Sequence, residues 1–139
     1  MLIFTFCVTV KSEGFGPIED AEQVVREYFL FKNDKNVDKL SNLLVTNDSL
    51  SSIEKQLKYL DKTSLIYIKE ETNESILNAY LKNNELINPQ NLKVYKVNYE
   101  ISYNDRSPIH YKNGMYESWF FVVRKNNHSR WLIDINDVQ

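Results

Sequence analysis

Five consecutive apolar residues, Trp119-Phe120-Phe121-Val122-Val123, constrain the fold of this chain more than any other feature. The segment from Tyr116 to Lys125 reads as a strand, and successive strand residues point to opposite faces. Trp119, Phe121 and Val123 share one side, while Phe120 and Val122 share the other with Ser118. A strand written this way needs cover on both faces. One face is for the helices that precede it in the chain. The other needs a further helix, a second copy of the chain or a partner, because several kcal/mol are forgone when three large apolar residues stay wet, at roughly 25 cal/mol per Å².

The neighbouring segments supply the sheet. From Leu92 to Tyr103 the alternation is nearly strict, with Tyr95, Val97, Tyr99, Ile101 and Tyr103 on one face and Lys96, Asn98, Glu100 and Ser102 on the other. Residues 104 to 115 read as a loop carrying Pro108 and the Asn113-Gly114 turn signal. Asn126 to Ser129 reads as a turn and Arg130 to Val138 as the last strand. The three strands are expected as an antiparallel meander with 116–125 in the middle. Upstream, Leu65-Ile66-Tyr67-Ile68 reads as a short strand. Residues 74 to 87 read as a helix with Ile76, Leu77, Tyr80 and Leu81 inward, stopped by Asn88-Pro89.

Before position 64 the period is helical. Pro17 suits a first turn, and Glu19, Asp20 and Glu22 complement the helix dipole. Ile18, Ala21, Val25, Tyr28 and Phe29 form an apolar stripe that Val24 and Phe31 widen, and the helix ends near Asn33. Asn36 caps a second helix with Val37, Leu40, Leu43 and Leu44 on its inner face. After a polar stretch at 46–52, Ser51 or Ser52 caps a third, with a capping-box match from Ser51 to Glu54 and Ile53, Leu57 and Leu60 inward. The expected class is α+β: N-terminal helices packed in a curved antiparallel sheet. Residues 17–139 form the single domain, preceded by an apolar segment and linker at 1–16.

That N-terminal segment, Leu2 to Val10, has the length of a secretory apolar core and is too short to span a membrane. It lacks a basic start, a small-x-small cleavage site and a small residue before Cys7, where Phe6 stands. The reading taken is a truncated or degenerate export segment, with an N-terminal strand as the alternative. It makes the chain extracytoplasmic, with the membrane touched only through this segment if at all.

Composition removes whole classes of function. The formal charge is -2, and only Arg26, Arg106, Arg124 and Arg130 are arginines, so no nucleic-acid partner is expected. Three glycines, Gly14, Gly16 and Gly114, are too few for a phosphate-cradling loop. A single cysteine, Cys7, excludes an intrachain disulfide. His110 and His128 lie in expected loops without ligand-type neighbours at metal spacing, so no metal and no cofactor are expected. The Asn, Lys, Ile and Tyr bias suggests an AT-rich bacterial genome.

Helices, a strand, an interruption and a closing meander together resemble the nuclear transport factor 2-like superfamily, whose curved sheet wraps its helices into a cystatin-like cone. Val24-Val25-x-x-Tyr28-Phe29, Asn33-Asp34-Lys35-Asn36 and Leu40, Leu43, Leu44 are similar to its opening. Lys93-Val94-Tyr95-Lys96-Val97, Trp119 to Lys125 and Trp131-Leu132-Ile133-Asp134 resemble an uncharacterised bacterial family of exported or lipid-anchored domains, DUF4829. The resemblance implies a cone fold and sheet-to-sheet homodimers, and it brings no activity with it.

Two functions are open. The first is a non-catalytic module that binds a small apolar ligand in the cone, at Tyr28, Tyr95, Tyr99 and Tyr103, or a protein partner or second copy through Trp119, Phe121 and Val123. The second is a small cofactor-free isomerase or dehydratase. Enzymes on the resembled fold place a carboxylate inside the cone, and Asp134 would be this base, with Tyr99 or Tyr103 as donor.

Overall fold

In the computed structural model the described residues are 20–135. The segment 1–16 with its export reading, Pro17 and the last residues of the expected final strand lie outside them. Helix α1 (Asp20–Asn33) buries Ala21, Val25, Tyr28, Phe29 and Lys32, a stripe at helical spacing. It ends in a Schellman turn. Asn36 N–H reaches Phe31 O and Lys35 N–H reaches Lys32 O, at 3.0 Å each, and Lys35 adopts a left-handed φ of 53°.

Asn36 caps α2 (Val37–Ser41) through Lys39 N–H, as the sequence suggests. Leu43 and Leu44 leave that helix: Ile133 N–H donates to Leu43 O (2.7 Å) and Val45 N–H to Ile133 O (2.9 Å), a parallel bridge on the far side of the last strand. Helix α3 (Leu50–Tyr59) starts earlier than expected. Its cap is Ser49, so Ser51 and Glu54 lie inside the helix and form no capping box.

Strand β1 (Leu60–Glu70) follows α3 directly and is far longer than the expected four residues. Helix α4 (Glu74–Lys82) is capped by Asn73, and it stops before residue 87 where Asn84 Nδ2 donates back to Tyr80 O. A short 3-10 turn at Pro89–Asn91 leads into β2 (Leu92–Tyr103), β3 (Gly114–Val123) and β4 (Leu132–Asp134). The Asn113-Gly114 pair closes no two-residue hairpin. Gly114 instead opens β3, with a φ of 151° that glycine tolerates.

The sheet order is β1-β2-β3-β4 and every neighbouring pair is antiparallel. The N-terminal helices pack on one face of this open sheet, an α+β arrangement consistent with a nuclear transport factor 2-like cone. On that face Phe29 meets Tyr99 (5.1 Å) and Phe120 (5.6 Å), and Tyr28 meets Phe120 edge-on at 5.4 Å. On the other face α4 covers Leu92, Val94, Phe121 and Val123, and the Tyr80 ring stacks on Phe121 at 4.7 Å. Both faces of the 119–123 run are thus covered within one chain, except at Trp119, which stays 40% exposed.

Candidate functional site

A second face of α1 packs Val24 and Phe31 against the margin of the core. Asp20, Val24, Glu27 and Phe31 recur on one helix face and border a cavity of about 600 Å³. The β3–β4 loop lines the same cavity with Arg124, His128, Arg130 and Trp131, and α2 contributes Lys39. The loop is held tightly: Asn126 Oδ1 accepts from His128 N–H (2.8 Å), and Ser129 N–H donates to Asn126 O (3.1 Å).

Arg124 is held in this cavity from two sides. Its backbone N–H and its Nε donate to Asn91 O and Asn91 Oδ1, both at 3.0 Å. Its guanidinium lies 4.4 Å from the Trp131 ring centre. The planar fork is therefore oriented before any ligand arrives. Lys39 Nζ sits 5.3 Å from the Phe31 ring centre on the other side. The cavity combines apolar rings with fixed charges, the mixture that small-molecule sites use, and its volume falls in their range of roughly 300–1,000 Å³.

The tyrosines expected to line a cone pocket fill the interior instead. Tyr28, Tyr95 and Tyr99 are buried in the main core, and Tyr103 packs at its margin. Gln56 Nε2 donates to Tyr103 Oη at 2.7 Å. Tyr103 stacks on Tyr111 (5.2 Å) and Tyr99 on Tyr116 (5.8 Å). Burial raises the phenols of Tyr28, Tyr99 and Tyr103 above their usual range, so they stay neutral donors.

Beside Tyr28 lies Lys32, only 4% exposed, with Nζ 5.2 Å from the Tyr28 ring centre. Among the described residues no carboxylate pairs with it. Burial lowers its amine from 10.5 to about 8.

Asp134 does not lie on the face of the sheet that the N-terminal helices cover. Its neighbour Ile133 points into the core, so Asp134 faces outward and accepts a 2.6 Å hydrogen bond from Tyr80 Oη. The structure keeps it on the sheet face opposite Tyr99 and Tyr103. The expected interaction face also changes: Phe121 and Val123 lie under α4, and only Trp119 reaches the surface, with Nε1 donating to Glu71 Oε1 at 3.3 Å. Trp119 and Phe121 border a groove of about 340 Å³ against α4. His110 is exposed beside Tyr111 and His128 borders the large cavity. Among the described residues no group of three or more His, Cys, Asp or Glu is placed to hold a metal ion.

Sequence reasoning misses Glu27, Lys39, Arg124 and Arg130. A signal was present: Val24 and Phe31 widen the α1 stripe beyond what one buried face requires, which marks a second surface at the helix. Arg124 and Trp131 stand in patterns that read only as fold-specifying. Lys32 carries no signal, since a lysine in a last helical turn is ordinary.

Among the described residues no helix is long and apolar enough to cross a membrane. Comparison with curated proteins and with solved structures gives no match. The sequence does match the family described as Domain of unknown function (DUF4829) over residues 22–135. That span is well over half of the 139 residues, and the chain belongs to the DUF4829 family.

Proposed function

We propose that the protein is a non-catalytic binding module whose ligand site is the cavity between α1, α2 and the β3–β4 loop. The observation that carries this reading is Arg124, fixed by Asn91 and by the Trp131 ring at the wall of a cavity large enough for a small molecule. A preoriented cation over an aromatic wall loses little side-chain freedom when a ligand docks. The isomerase or dehydratase alternative draws no support from the geometry, because Asp134 and the core tyrosines occupy opposite faces of the sheet.

The same reading takes the domain as a bacterial, extracytoplasmic member of the nuclear transport factor 2-like superfamily. Its supports are the order of helices and antiparallel strands, the Asn-, Lys- and Ile-rich composition, and the apolar run at Leu2–Val10. Thermal-shift screening of the full chain against a collection of small polar metabolites tests the site. Hits are expected that vanish in both Arg124→Ala and Trp131→Ala. A screen without hits, or hits that survive both substitutions, overturns the assignment.

A further inference from the structure

The charges around the α1–α2–loop cavity are arranged in an unusual way. Asp20 and Glu27 project from α1, while Arg124 and Arg130 project from the facing loop and Lys39 from α2. Opposite charges that share a small cavity ordinarily collapse into ion pairs. Among the described residues none of these five side chains forms one, although Arg26 and Glu22, on the same helix, pair at 2.8 Å. The carboxylates come from α1 and the guanidinium groups from the β3–β4 loop, and Val24, Phe31 and Trp131 share the same lining.

Arg124 cannot swing across to a carboxylate, because Asn91 and Trp131 hold its side chain. Lys39 is occupied over Phe31. Carboxylates on α1 and guanidinium groups on the loop, lining one cavity together with apolar side chains, form a recognition pattern with a direction. A cationic group is drawn to the α1 side and an anionic group to the loop side, while an apolar body lies on the rings.

We infer that the ligand of this cavity is a small zwitterion with an apolar body, the class of free amino acids and short peptides. The inference rests on the cavity being the binding site and adds its chemical class. An ammonium group would answer Glu27 and Asp20, and a carboxylate would answer Arg124 and Arg130, the guanidinium fork matching a carboxylate in bidentate fashion. A purely anionic ligand would leave the α1 carboxylates opposed to it, and a purely cationic one would meet the arginines.

Isothermal titration of the full chain with three forms of one dipeptide separates these cases. Glycyl-phenylalanine keeps both charges, its N-acetyl form keeps only the carboxylate, and its C-terminal amide keeps only the amine. The free dipeptide should bind at least about tenfold tighter than either blocked form, since each charged hydrogen bond removed is worth that much or more. Glu27→Gln should erase the preference over the N-acetyl form and leave the preference over the amide. Arg130→Gln should do the reverse. Equal binding of the free and N-acetyl dipeptides overturns the zwitterion inference and leaves the cavity as an anion site. No binding of the free dipeptide also overturns it, and the metabolite screen with Arg124→Ala then decides separately whether the cavity is a site at all.

Discussion

Replacing Lys32 with Met should stabilise this protein at neutral pH. The amine is 4% exposed and has no carboxylate partner among the described residues, and burial brings it from 10.5 to about 8. At about 1.4 kcal/mol per tenfold change, keeping the amine protonated inside the fold costs about 3 kcal/mol. The contact with the Tyr28 ring returns about 0.5–2 kcal/mol of favourable energy that Met forfeits. Met fills a similar stem volume without the charge, so a net gain of about 1–2 kcal/mol is expected at pH 7, a rise of roughly 5 degrees in Tm.

The pH dependence gives a sharper test. Between about 8 and 10.5 the unfolded chain binds more protons at Lys32 than the folded one, so Lys32 makes wild-type stability rise with pH from about 8 to 10. From pH 7 to 9.5 the gain is about 2 kcal/mol. Above about 10 the sign reverses. The unfolded phenols of Tyr28, Tyr99 and Tyr103 ionise there while their folded counterparts stay neutral. Urea denaturation of wild type and Lys32→Met at pH 7 and 9.5 reads both effects. Refutation would be a wild type whose stability is flat or falling over this interval, or a Lys32→Met protein that rises as steeply.

Three further substitutions probe how the elements are joined. Asn33 brackets Thr63 by donating from Nδ2 to its carbonyl (2.7 Å) and accepting from its N–H (2.8 Å). Asn33→Ala should therefore cost about 1–3 kcal/mol in urea denaturation. Tyr80→Phe removes the 2.6 Å bond to Asp134 but keeps the stack on Phe121. It should cost about 1 kcal/mol and speed hydrogen exchange in α4 more than in β2. Lys35 and Gly114 make a reciprocal pair in thermal melts. Lys35→Gly relieves a left-handed lysine and should gain about 0.5–1 kcal/mol, whereas Gly114→Ala strains a φ of 151° and should lose about 1 kcal/mol with no steric clash.

The legible elements are those whose pattern is uninterrupted. β2 alternates from Tyr95 to Ile101, and its reading holds over the full Leu92–Tyr103 span. β1 was legible only over Leu65 to Ile68, because its register shifts between Leu60 and Lys62 and again between Leu65 and Tyr67. Each bulge adds a residue and flips the alternation. Thr63 adds to the concealment. It is 1% exposed yet polar, and it is tolerated because its Oγ1 donates to Glu100 O and Asn33 satisfies its backbone. The cavity was hidden for a different reason. Its charges come from three separate elements, and nothing in the spacing of Glu27, Lys39 and Arg124 says that they face one another.

Sequence polarity along β3 also marks where cover ends. Facing outward, Phe121 and Val123 pair with Val94 and Leu92, all apolar and all beneath α4. One step further along the same face, Trp119 pairs with Lys96, Glu117 with Asn98 and Met115 with Glu100. The Lys96 amine then reaches Glu117 at 3.6 Å across the ladder. The changeover falls at Trp119, whose ring borders the α4 groove while its Nε1 turns to Glu71. A helix of nine residues spans about 14 Å, too short to shield a ten-residue strand of about 33 Å. The buried apolar residues of the outer face occur where that helix reaches, and beyond it Lys96, Asn98, Glu100 and Glu117 take over, with Met115 exposed among them. The length of α4 and the polarity of β3 are thus matched, which explains how a strand apolar on both sides at one end is stable in a single chain with polar residues at the other.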